Sequence, residues 1–203
     1  MNRQPLPFGP LGREAVHLCI DMQRLFGEAT EWHTPGVVDV TPAIVRISSK
    51  APDRNIFTRF RAPLQIEHAK GQWQTYYQRW HSVLADRNDE DLYDLVPELR
   101  RFVPPGQVLD KLGYSAFDAP SLEPMLQELK AATLILTGVE TDVCVLSTLF
   151  GAIDRGYRII LVADAIASSD PASHEATLAH VIPRFDRQVE VTDTASLVEH
   201  WHP

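Results

Sequence analysis

Three residues of unlike chemistry, Asp21, Lys111 and Cys144, each follow a short apolar run in this chain. A carboxylate, an ammonium and a thiol brought together can activate a sulfur nucleophile. The thiol lies in GVETDVCVLSTLFGAIDRG, at the first turn of a predicted helix and after a turn holding Gly138, Thr141 and Asp142. A helix N-terminus carries about +0.5 charge and free N–H groups, which lower a thiol pKa and can hold an oxyanion. Each residue also has a plainer role. A lone cysteine is usually a small buried hydrophobe, Asp21 can cap a turn, and Lys111 can be a solvated surface lysine. An unpaired carboxylate ending an apolar strand is costly to bury, however, and it is less economical that three plain roles coincide at one sheet edge.

That edge follows from the elements expected to position these residues. Ala15–Asp21 (AVHLCID), Arg54–Arg59 (RNIFTR), Gln107–Asp110 (QVLD), Thr133–Gly138 (TLILTG), Tyr157–Val162 (YRIILV) and Gln188–Val191 read as strands. Helices are expected from about Val37 to Lys50, Ser121 to Lys130, Val143 to Arg155, Ala172 to Val181 and Thr194 to His200, with Gly156 ending the third and Asp193 or Thr194 capping the last. Residues 62–97 turn irregular, polar and aromatic. Alternating strands and helices predict an α/β fold of three α/β/α layers, with a central, mostly parallel, six-stranded Rossmann-like sheet. Ligands in such sheets bind outside the carboxyl ends of the strands. Asp21, Arg59, Lys111 and the turn Val139–Cys144 all fall at such ends and can converge on one pocket.

Bulk properties narrow the partners. The 203 residues suit a single domain over 1–203, and 44% apolar with 23% charged residues is ordinary globular usage. A formal net charge of −8 would repel a phosphate backbone, so nucleic acid is not expected as a partner. Met1–Gly12 lacks an apolar core of the secretory type, and no run approaches the roughly 20 apolar residues of a membrane span. A cytoplasmic setting is therefore expected, in which Cys19 and Cys144 stay reduced.

The segments CIDMQRLF, FTR, VLDKLGYSAF and LTGVETDVCVLSTLFGAIDRGYRIILVADAIASSD resemble the isochorismatase-like cysteine hydrolases, a family that includes nicotinamidases, N-carbamoylsarcosine amidases and ureidoacrylate amidohydrolases. The resemblance runs from Ala15 to about Val191 and is most specific from Leu136 to Asp170. It implies a catalytic triad of Asp21, Lys111 and Cys144, a thioester intermediate on the sulfur, and a cis peptide joining Val139 to Glu140. Backbone N–H groups of that turn, with the Cys144 amide, would form the oxyanion hole. It also implies a homo-oligomer, a dimer or tetramer. Nicotinamidases follow the second strand with an Asp–x–His arrangement that holds a divalent metal. Here the place reads FTRFRAP, with Phe60 and Arg61, and His68 and His81 lack the carboxylate partner and spacing a metal site wants. No metal and no other cofactor are expected.

Phe26, Trp32, Tyr114 and Phe117 follow catalytic segments and are expected to wall the pocket, with Thr141 as a further substrate contact. Arg59 can bind a substrate carboxylate bidentately or pair with an acid such as Asp21 or Glu140. In GQWQTYYQRWHSV, Trp73, Tyr76, Tyr77 and Trp80 recur at helical spacing. They suit an aromatic stripe packed on the core or a partner subunit, with one or two reaching over the thiol as a lid. The leading expectation is a metal-free cysteine amidase acting on a small amide, carbamoyl or ureido compound. Two alternatives stand beside it: vinyl-ether cleavage of the isochorismatase type, which does not need the thiol, and a non-catalytic binding protein on the same fold.

Overall fold

Six apolar runs form six parallel strands in the computed structural model, which describes residues 6–203. The strands are β1 (Ala15–Ile20), β2 (Asn55–Phe60), β3 (Gln107–Lys111), β4 (Thr133–Val139), β5 (Arg158–Ala167) and β6 (Val189–Thr192), in the order β3-β2-β1-β4-β5-β6. Every residue of β1 and β4 is buried, which is why both read as continuous apolar runs without alternation. The helices are α1 (Arg24–Gly27), α2 (Gly36–Lys50), α3 (Trp73–Arg79), α4 (Pro97–Arg100), α5 (Leu122–Glu128), α6 (Leu146–Asp154), α7 (Pro171–Ala176) and α8 (Thr194–His200). In α2 the buried residues Val37, Val40, Thr41, Ile44, Ile47 and Ser48 recur at three- and four-residue steps, giving one apolar stripe for the sheet. α2 packs on α8 and on β5, and α6 also packs on β5. Because the chain steps leftward after β1 and rightward after β4, right-handed crossovers place α2 and α6 on opposite faces. Three layers result.

β5 does not end at Val162 but continues to Ala167, its pairing with β4 shifting register between Leu136 and Gly138. The apolar run is interrupted at Asp164, yet that carboxylate accepts from the amide (2.8 Å) and hydroxyl (2.9 Å) of Thr194, so it anchors α8 without ending the strand. Within the irregular segment after β2, the helical spacing of Trp73, Tyr76 and Tyr77 corresponds to α3, set amid short 3-10 turns. Among the described residues no helix is long and apolar enough to cross a membrane.

The carboxyl ends of β1 and β4 meet closely. Ile20 pairs with Gly138, which has a φ of +104°, and a Cβ there would stand 2.0 Å from the Ile20 carbonyl oxygen. Only glycine permits this approach. One residue beyond Ile20, Asp21 leaves the strand with φ +49°, a left-handed conformation that aspartate tolerates better than most residues. The turn turns its carboxylate to the space above the sheet edge.

Candidate active site

Asp21 is held from three directions. Its backbone N–H donates to Thr58 Oγ1 at 3.0 Å, and the same hydroxyl donates to Asp21 Oδ1 at 2.6 Å. Its Oδ2 lies 2.7 Å from Lys111 Nζ, and neither side chain has any solvent exposure. That contact has the distance of an ion pair, but Oδ2 receives no well-aligned hydrogen bond. The ammonium also donates to the carbonyls of Gly113 (3.1 Å) and Tyr114 (2.9 Å) and sits 4.8 Å from the centre of the Phe60 ring. β2 and β3 bring these groups together, since Phe60 pairs with Lys111 in register. Gln23 ties β1 to the end of β2, accepting from the Phe60 amide (2.7 Å) and donating to the Phe60 carbonyl (3.1 Å).

Cys144 completes the group from the far side of β1. It lies in a π-helical turn, Thr141–Val145, that leads into α6. The Val139–Glu140 peptide just before it is cis. The thiol is buried, and the charges of Asp21 and Lys111 both act on it. Its pKa is pushed well above that of a free thiol, first by burial and next by the negative Asp21, with Lys111 opposing. The downward shift expected from the helix end is thus reversed. At rest the sulfur keeps its proton, and a carboxylate stands beside it. For Lys111 burial works against the charge, but the attraction of Asp21 and then of Cys144 outweighs it, so its pKa lies above the usual value. Lys111 stays an ammonium.

A cavity of about 180 Å³ opens onto the sulfur. At the ~30 Å³ that a water occupies in the liquid, this admits about six waters' worth of substrate. Phe26, Trp32 and Tyr114 line it, as expected, and so do Tyr76 and Trp80 of the aromatic segment. Trp73 packs against Phe60 and Tyr114, and Tyr77 is buried in the core. One stripe therefore serves both packing and site. The pKa values of Tyr76 and Tyr114 are both raised, primarily by burial, with Cys144 among the further causes.

Three anticipated contacts lie elsewhere. Arg59 is bound bidentately to Asp110 (2.7 and 2.9 Å) and reaches Asp94 at 3.4 Å, so it pairs with acids, though not with Asp21 or Glu140. A substrate carboxylate would have to displace both partners. Phe117 stacks on Tyr157 at 6.2 Å between ring centres and lies under the Arg155 guanidinium, away from the cavity lining. Thr141 is buried and hydrogen-bonds His174 Nδ1 at 2.9 Å. Glu140 does line the cavity, its Oε1 accepting from Thr34 Oγ1 (3.3 Å) and the Ser169 amide (2.8 Å). Glu31, His33 and Ser169 line it too, and no sequence pattern marks them. Thr58 carries a legible signal, a buried hydroxyl next to Arg59 near the carboxyl end of β2.

At the place of the nicotinamidase metal motif, Phe60 packs on Trp32 and Lys111, and Arg61 pairs with Glu90 at 2.7 Å. His81 Nδ1 meets Arg87, and His68 lies in a separate surface hollow with Arg61 and Lys70. Among the described residues no three or more His, Cys, Asp and Glu side chains are grouped to hold a metal ion.

Comparison with known proteins places this arrangement. In Arabidopsis thaliana, nicotinamidase 3 is 26% identical over 174 residues, covering 85% of this chain and 82% of that protein. A shorter stretch of 81 residues is 38% identical to the uncharacterized isochorismatase family protein PncA of Bacillus subtilis, covering 40% of this chain and 44% of that one. The crystal structure of a cysteine hydrolase from Pseudomonas syringae superposes with a TM-score of 0.80 over 98% of both chains at 22% identity, a likeness of fold. The family model described as the isochorismatase domain matches residues 15–196, and the chain belongs to the isochorismatase family.

Proposed function

We propose that this protein is a cysteine-dependent hydrolase that cleaves the C–N bond of a small amide, carbamoyl or ureido compound through a thioester on Cys144. The observation that carries this reading is the fully buried Lys111–Asp21 pair, 2.7 Å apart, whose charges act on the buried thiol. Burying an ion pair is seldom a gain in stability over apolar residues of the same volume, so its presence beside a sulfur calls for a chemical reason. Relatives whose names describe amide hydrolysis support the same class, among them nicotinamidase 3 and a ureidoacrylate amidohydrolase of Methylobacterium radiotolerans.

In this reading Asp21 Oδ2, which has no aligned donor, accepts the Cys144 proton as the sulfur attacks the substrate carbonyl carbon. Lys111 stays paired with that carboxylate before the transfer and stabilises the thiolate as it forms. The carbonyl oxygen becomes an oxyanion facing the turn from Val139 and Glu140 to the Cys144 amide; the Val143 and Val145 amides already donate to Glu140 O, at 3.1 and 3.0 Å. Collapse breaks the C–N bond, and the proton on Asp21 passes to the departing nitrogen, which leaves as ammonia or an amine. Water then attacks the thioester while Asp21 takes one of its protons. The C–S bond breaks, the acid product leaves, and Asp21 returns its proton to the sulfur. The raised thiol pKa fits this order, because the thiolate need exist only during attack.

The test is a screen for ammonia release over a panel of small amides and ureides, with Cys144→Ala in parallel. Turnover by the parent and its loss in a folded Cys144→Ala support the reading. Full activity in Cys144→Ala, including cleavage of isochorismate, overturns it.

A further inference from the structure

Six aromatic side chains, Phe26, Trp32, Phe60, Tyr76, Trp80 and Tyr114, wall the cavity beside Cys144. The acidic groups of the lining are Glu31 and Glu140, and among the described residues no lysine or arginine lines it. The nearby cations are engaged elsewhere. Arg59 is held by Asp110 and Asp94, Arg61 by Glu90 and the Tyr93 ring, and the Arg79 guanidinium lies 4.8 Å from the Trp80 ring centre. Lys111 is matched by Asp21 and turned beneath Phe60. An ionised acid entering this space would meet two carboxylates and no lysine or arginine of the lining. A cation would meet both carboxylates and aromatic faces whose quadrupoles attract positive charge in a partly dry space. At about 180 Å³ the cavity holds one compact group beside the reacting amide.

We propose that the substrate is a small amide whose far end carries a cation, an ammonium or quaternary ammonium group, and that the aromatic wall with Glu31 and Glu140 is its recognition site. This inference rests on the amidase reading above and adds the charge of the substrate to it. His33 also lines the cavity, and all assays are run at one fixed pH.

Two measurements test it separately from the amidase reading. The first compares kcat/KM, normalised to each amide's hydroxide-catalysed rate, for trimethylammonioacetamide, its neutral isostere 3,3-dimethylbutanamide and the acid malonamate. At least a tenfold preference for the cation over the isostere is expected, with malonamate the poorest. The second follows tryptophan fluorescence of Cys144→Ala on titration with choline and with its neutral isostere 3,3-dimethylbutan-1-ol. Choline should bind at least fivefold more tightly, and the exposed-residue substitution Glu31→Gln should narrow that ratio at least twofold. Equal affinities, binding of neither, or preference for malonamate overturns the cation site while leaving the amidase reading intact. Tight choline binding with no amide turned over does the reverse.

Discussion

Replacing Thr58 with valine removes one hydroxyl and almost no volume, yet that hydroxyl is the main clamp on Asp21. It accepts from the Asp21 amide at 3.0 Å and donates to Oδ1 at 2.6 Å, within a strand that is buried at this point. A hydrogen bond to a charged group contributes about 1.5–3 kcal/mol, and stranding a buried amide costs about 1–3 kcal/mol more. Thr58→Val should therefore lower stability by about 2.5–6 kcal/mol, read as a shift of the urea midpoint. If Oδ1 must stay fixed so that Oδ2 faces the sulfur, a similar 1.5–3 kcal/mol is lost at the transition state. At 1.36 kcal/mol per decade this is about a 10–100-fold fall in kcat. KM should move little, because Thr58 does not line the cavity. Thr58→Ser, which keeps the hydroxyl, should recover most of the rate. A destabilised Thr58→Val enzyme with kcat within threefold of the parent would refute the positioning argument.

Two further predictions use groups outside the reaction. His17 is fully buried between Asn55 (2.7 Å) and Thr137 (2.8 Å), and burial lowers its pKa from 6.5 to about 4. The unfolded chain then binds the extra proton first, so stability is complete above pH 6.5 and declines as pH falls toward 4, by about 3 kcal/mol in all. Stability measured by urea unfolding at several pH values should lose about one proton's worth of slope in that window in His17→Gln; an unchanged slope would contradict the assignment. Arg59→Met should alter kcat/KM less than threefold and stability by less than about 1 kcal/mol, since its pair with Asp110 is partly solvated. A KM increase of tenfold or more would return Arg59 to substrate binding.

Much of this architecture is visible in the primary structure, for identifiable reasons. Buried parallel strands must be apolar throughout, so AVHLCI and TLILTG announce themselves, and the residue just past each apolar core faces the ligand edge. Asp21 and Lys111 could be placed that way. The reach of β5 could not, because Asp164 breaks its apolar run for the sake of α8. The π-helical turn bearing Cys144 is equally hidden, since no residue type specifies it. The direction of the thiol's pKa is hidden too, since burial and Asp21 raise it against Lys111 through contacts made across the fold. Arg59, Phe117 and Thr141 stand at the correct edge by sequence, but Asp110, Tyr157 and His174 claim them through contacts made across the fold. Glu31, His33 and Ser169 reach the cavity from loops by the same long-range logic, which local spacing does not encode.

The central claim is that the Cys144 sulfur carries the acyl group. Once an active amide is found, acid quenching during steady turnover, followed by peptide mass analysis, measures this directly. The account predicts the acyl mass of the substrate on the peptide containing Cys144, none on Cys19, and none in Cys144→Ala. Turnover at a parent rate with no adduct on Cys144, undiminished in Cys144→Ala, would contradict it.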